Sequence, residues 1–164
     1  MKRLILMRHA KSDWSDMAAS DHARPLNARG RQSAAAVGRW MREAEVLPDH
    51  ILCSDAARTR ETLSLLALEA VPISLNRSLY LAEPEAMLRA LHTRQEDCIM
   101  LIGHNPGCAM LAERLVPEHH TQDGIHAYPT GATLVVDFDI AEWVDLDDHA
   151  GRVAHFVLPR ALMK

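Results

Sequence analysis

The sequence predicts an α/β fold: a mostly parallel central sheet with helices on both faces and an antiparallel strand at one edge. Three short apolar runs, at residues 4–7, 51–53 and 99–102, have the length and composition of strands buried on both faces. Segments of helical period separate them, and strands alternating with helices along one chain require crossover connections, hence parallel pairing. Each apolar run also ends abruptly in polar or cationic groups: Arg8-His9, Ser54-Asp55 and Gly103-His104-Asn105.

The elements follow in order. Residues 11–25 are polar, carry Asp13, Trp14, Asp16, Asp21 and Arg24, and show no sustained period, so they read as a loop. Asn27 can cap a helix running to Ala44, because Ala34, Val37, Met41 and Ala44 recur at helical spacing while Arg31, Arg39 and Arg42 lie largely off that face. Pro48 ends the connection to the strand at 51–53. Residues 56–68 read as the next helix, with Thr59, Thr62, Leu63, Leu66 and Ala67 inward and Ser54 or Asp55 as the cap. A minor third strand covers 72–75. Pro84 suits the first turn of a helix over 84–92 that buries Met87, Leu88 and Leu91.

The run at 99–102 is the clearest buried strand, and Pro106 opens a helix to Leu115 with Met110, Leu111 and Leu115 inward. Residues 116–130, rich in His, Asp, Gly and Pro, read as a loop. Residues 131–139 alternate as a strand with one less covered face, and 152–158 form the last strand. The short non-helical connection around 141–150 makes that edge antiparallel.

Length and composition bound the function. A chain of 164 residues fits one domain, residues 1–164, able to bury roughly 70% of its unfolded surface. Hydrophobic residues at 48% and charged residues at 24% exclude disorder and fibrous repeats. No apolar run approaches the ~20 residues that cross a bilayer, and the N-terminal run is too short for a signal-peptide core, so a cytoplasmic protein without membrane contact is expected. Cys53, Cys98 and Cys108 have no C-x-x-C spacing and read as buried reduced thiols. A net charge of −4 argues against a nucleic-acid partner, whose binding rests on a basic face.

In a parallel sheet the three strand ends share one edge, the edge where open α/β sheets hold ligands. That edge receives two histidines and two arginines. Guanidinium neighbours suit metal-ligating histidines poorly, since these want neutral surroundings and a carboxylate behind them, so no metal and no cofactor are expected. The same set suits phosphate: arginine presents a planar fork of donors, and the helix opened by Pro106 is expected to aim free N–H groups at the crevice.

Arg8-His9 after an N-terminal strand, Ser54-x-x-x-Arg58-x-x-x-Thr62 at a helix start and Gly103-His104-Asn105 after a later strand together resemble the histidine phosphatase superfamily. Arg24-Pro25-Leu26 before Asn27-x-x-Gly30, and the closing run from Phe156 to Arg160, resemble its small phosphohistidine phosphatase branch. The resemblance implies a phosphoglycerate mutase-like fold, His9 as nucleophile, and Arg8, Arg58 and His104 clamping the phosphoryl oxygens, joined by Arg24. It implies a metal-independent phosphatase, acting on phosphohistidine in a signalling protein or on a small phosphate ester; a monomer is the expectation, although the sequence leaves the oligomeric state open. The family usually has glycine after the Arg-His pair; Ala10 stands here, so a local adjustment of that loop is expected. The glutamate that protonates alkoxide leaving groups in the mutase-like branch has no clear match. Glu83, Glu85 and Asp13 are the candidates.

Other residues carry blander readings. His119, His120 and His126 have no common metal spacing and read as solvated or rim histidines. Lys11 and Ser12 fit the phosphate or the rim, Trp14 fits a pocket wall, and Trp40 and Trp143 fit packing. Asp145, Asp147 and Asp148 read as an exposed acidic turn. A non-catalytic phosphoprotein-binding module of the same fold is the rival class, although a binder does not need the nucleophile.

Overall fold

The computed structural model describes residues 1–163. Its centre is a six-stranded sheet of β1 (Lys2–Arg8), β2 (His50–Ser54), β3 (Ile73–Asn76), β4 (Cys98–Gly103), β5 (Thr133–Phe138) and β6 (Arg152–Val157), in the order β3-β2-β4-β1-β5-β6. Strands β1 to β4 are parallel, and β1 meets β4 in the register Leu4 to Ile99 through Arg8 to Gly103. β5 pairs antiparallel with both β1 and β6, so the reversed strand lies one in from the edge.

Period-2 alternation sends successive residues of each strand to opposite faces. Leu4, Leu6, Leu101, Leu134 and Val136 pack on one face beneath α3 (Pro84–His92) and α4 (Gly107–Leu115). Ile5, Met7, Cys53, Met100, Ile102 and Val135 pack on the other beneath α1 (Ala28–Glu43), α2 (Ala57–Leu66) and the short α5 (Pro159–Leu162). Each fully buried Leu or Ile contributes about 1.5–3 kcal/mol over exposure. Every apolar residue at 4–7 and 99–102 is fully buried, which fixes the strands whose ends carry the polar groups. Among the described residues no helix is long and apolar enough to cross a membrane.

Several local expectations change. β5 is covered on both faces, because the loop residues Ile125 and Tyr128 close one side and α5 returns over the other. Met110 is exposed: the inward stripe of α4 is Gly107, Cys108, Leu111, Ala112 and Leu115, and Met110 lies off it. α2 is capped by neither Ser54 nor Asp55: its N-cap position is Ala56, which makes no side-chain cap hydrogen bond, and it ends at Leu66 because Ala67 is left-handed. Trp143 is buried, donating Nε1–H to the Glu96 carbonyl at 2.8 Å, whereas Trp14 is exposed.

The loop before α1 is tied at both ends. Ser12 bridges Leu26, and the N–H groups of Asp13 and Asn27 donate to the carbonyls of Pro25 and Lys11. Gly30 permits this: a β carbon there would stand 2.0 Å from the Lys11 carbonyl oxygen.

Candidate active site

The carboxyl ends of β1, β2 and β4 do meet, in an open cleft of about 410 Å³ lined by Arg8, His9, Arg58 and His104, with Asp21, Arg24, Lys11 and Trp14 around them. Arg8 is the last residue of β1, and its Nη1 donates to the Tyr128 carbonyl at 3.2 Å while its buried Nε has no partner. His9 follows. Its backbone N–H reaches the Gly103 carbonyl at 3.1 Å, which ties it to the end of β4.

The ring of His9 has a defined tautomer. Nδ1 lies 2.7 Å from the Ala10 carbonyl, an acceptor, so Nδ1 carries the proton. Nε2 is therefore a bare lone pair, and Arg58 Nε donates to it at 3.3 Å. Burial and the charges of Arg58, Arg8 and Arg24 push the imidazole down to about 4, so it is neutral at physiological pH.

His104, just past β4, stands beside it with ring centroids 5.3 Å apart. Ser54 Oγ, which already accepts the Ala56 N–H, has His104 Nε2 at 2.8 Å as the acceptor for its own hydrogen. That network assigns the His104 proton to Nδ1, a buried atom with no partner. Burial, His9 and Arg58 push His104 down to about 3, so it too is a neutral donor. Two buried N–H groups without partners therefore belong to Arg8 and His104, residues that line the cleft together with Arg58.

Ala10 needs no adjustment: it is buried without a positive φ, and its N–H donates to Thr62 Oγ1 at 3.1 Å. Thr62 in turn donates to the Arg58 carbonyl at 2.7 Å, linking the loop after β1 to α2. The N-terminus of α4 departs from expectation. Its Cys108 and Ala109 N–H groups are engaged by the His104 carbonyl and Asn105 Oδ1, so they are not free anion donors. Asn105 instead fastens the loop at 127–128, donating from Nδ2 to the Ala127 and Tyr128 carbonyls.

None of the three proton-donor candidates lines the cleft. Glu83 is the exposed residue before α3, Glu85 reaches Arg114, and Asp13 accepts the Ser15 N–H in a local turn. The carboxylate that does line it, Asp21, carried no role in the sequence reading. It sits on a 3-10 turn (Asp21–Ala23) capped by Ser20. Oδ1 accepts Arg24 Nε and Nη2 at 3.2 and 3.0 Å, and Oδ2 accepts Arg58 Nη2 at 3.1 Å and the Tyr80 hydroxyl. The Tyr80 hydrogen bond and the two guanidinium groups hold Asp21 far below the usual carboxylate range. Arg24 also donates Nη1 to Ser12 Oγ at 2.6 Å and lies over the Trp14 ring, 3.4 Å from its centroid. A carboxylate three residues before Arg24 was the one visible signal for this pair.

Comparison with known proteins places this geometry. The profile of the histidine phosphatase superfamily (branch 1) matches residues 4–83. An uncharacterised protein of Mycobacterium tuberculosis is 30% identical over 161 residues, 94% of this chain and 100% of the relative. A protein of Nakamurella multipartitia assigned as the phosphohistidine phosphatase SixA superposes with a TM-score of 0.86 at 25% identity, over 96% of each chain. One of Agrobacterium tumefaciens with the same assignment gives 0.79 at 28%, over 96% of this chain and 98% of that one. The chain is an enzyme of the histidine phosphatase superfamily and belongs to its SixA-like branch.

Proposed function

We propose that this enzyme removes the phosphoryl group from phosphohistidine on a signalling protein, without metal or cofactor, through a phospho-His9 intermediate. The observation that carries the reading is the His9 ring, which lines the cleft, held by Nδ1–H on the Ala10 carbonyl with its unprotonated Nε2 against Arg58. In the first step Nε2 attacks phosphorus, the new N–P bond forms, and the bond to the substrate imidazole, which carries a proton on its other ring nitrogen, breaks with its electron pair leaving on that ring as neutral imidazole. In the second, water attacks phosphorus, the Nε2–P bond breaks with its electron pair returning to Nε2, and the protons of the water leave with orthophosphate, restoring neutral His9. Splitting the reaction replaces one hard displacement by two easier ones. Arg8, Arg58 and the Nδ1–H of His104 neutralise the phosphoryl oxygens, the role a metal plays elsewhere.

The substrate class follows from the acid that is missing where one would be needed. Asp21, in the cleft, is held ionised and cannot give a proton to an alkoxide. An imidazole leaves more readily than a serine or sugar alkoxide, so the P–N bond suits this site. The exposed Trp14 and Leu81 on the rim leave room for a phosphorylated side chain still attached to its protein. Unpaired Cys53, Cys98 and Cys108, with burial pushing the thiols up to about 12, 11 and 12, suit action in the reducing cytoplasm.

A substrate panel tests the reading. Phosphohistidine on a carrier protein should turn over at least about 100-fold faster than a phosphoserine peptide, the scale of one general acid. Equal turnover would contradict it, and a preference for small phosphomonoesters would move the substrate to metabolites. Phosphate binding with no turnover of any of them would leave only a binding module.

A further inference from the structure

Arg24 and Arg58 are engaged by an anion that belongs to the protein itself. Asp21 offers both carboxylate oxygens and its backbone carbonyl, the last accepting Arg58 Nη1 at 2.7 Å. Of the five N–H groups on Arg24, Nε and one on Nη2 go to Asp21 and those on Nη1 go to Ser12 Oγ and the Asp13 carbonyl, leaving one on Nη2. A phosphoryl group entering beside Arg8 Nε and His104 Nδ1, the buried donors without partners, therefore arrives next to a carboxylate that already holds the other guanidinium groups.

We infer that Asp21 is a built-in counter-anion of the phosphate cradle. It keeps Arg24 and Arg58 assembled in the empty site, turns Arg58 so that Nε faces His9, and competes with phosphate for the same donors, which lowers the affinity for the released product. Asp21 is a positioning residue in this scheme, not a catalytic one. Its side chain is 43% exposed on a three-residue turn, so it can give way to an incoming phosphoryl group without disturbing the core. The inference rests on the proposal that Arg8, Arg58 and His104 cradle phosphate.

The test is calorimetric titration of orthophosphate into the wild type and Asp21→Asn. Asparagine keeps the shape and one acceptor oxygen but removes the competing charge. Asp21→Asn should bind orthophosphate about ten-fold more tightly, the effect of one close charge in a partly exposed site. A purely structural brace would give the opposite sign, so equal or weaker binding by the variant overturns the inference. Should Asp21→Asn be too unstable to titrate, the same competition appears as a larger phosphate-induced rise in Tm than in the wild type, because phosphate then supplies the missing negative charge. A rise no larger than in the wild type also overturns it. A wild type that binds no orthophosphate sinks the cradle itself, a failure distinct from wild-type binding that the Asn variant does not strengthen.

Discussion

His9 and His104 are used as opposite halves of one device. On His9 the proton is parked on Nδ1 by the Ala10 carbonyl and Nε2 is bare; on His104 Ser54 takes Nε2 and Nδ1–H is left to donate. Because the nucleophile must be neutral, and burial holds His9 at about 4, the acid limb of kcat/KM should fall near pH 4, with no further break around 6.5. A limb at the ordinary histidine value, followed with a substrate that does not titrate in that range, would mean the ring is not buried as described. Ser54→Ala removes the partner that selects the His104 tautomer, and kcat/KM should drop about ten-fold, one hydrogen bond's worth, with a stability loss of about 1–3 kcal/mol because the buried Ala56 N–H also loses its acceptor. The motif Ser54-x-x-x-Arg58 showed that this serine matters but pointed to a helix cap; its contact with a histidine 50 residues later in the chain became visible only once β2 and β4 lay side by side. Asp21 was hidden for the same reason, since its partners Arg58 and Tyr80 come from other segments.

At the scale of elements, the strand ends do the placing. β1, β2 and β4 were legible because each is an apolar run in a sheet buried on both faces, and α1 and α3 because their inward residues repeat at helical spacing across several turns. α5 and the 3-10 turns were not, as three or four residues cannot show a period. Covering of β5 depended on that unseen helix and on Ile125 and Tyr128 from a loop whose polar composition masked them. The expected role of α4 as an anion-binding helix end failed through chemistry local to the turn: Asn105 and the His104 carbonyl satisfy its first N–H groups. Gly30 joins the loop carrying Arg24 to α1, so Gly30→Ala should cost at least about 1–3 kcal/mol in urea unfolding, as overpacking against backbone does, because the new β carbon meets the Lys11 carbonyl oxygen at 2.0 Å. An unchanged midpoint would show that the loop can move away freely.

Across the whole molecule, the sheet order puts β1 at the centre, so that both the catalytic proposal and the stability of the chain depend on burying two imidazoles at one sheet edge. Their folded values, about 4 for His9 and about 3 for His104, lie below the unfolded 6.5. The neutral rings therefore favour the folded state fully above pH 6.5, and that contribution is lost as pH falls from 6.5 toward those values. Unfolding free energy should decline over that window by a few kcal/mol, and the decline should be shallower in His104→Asn. A flat profile in the wild type would mean the rings are hydrated. The most direct test of the account is rapid quench with a labelled phosphoramidate donor. Wild type should form an acid-labile, alkali-stable phosphoenzyme within one turnover, and His9→Ala should form none. Steady hydrolysis without that species, or the same species in His9→Ala, would contradict nucleophilic catalysis by His9.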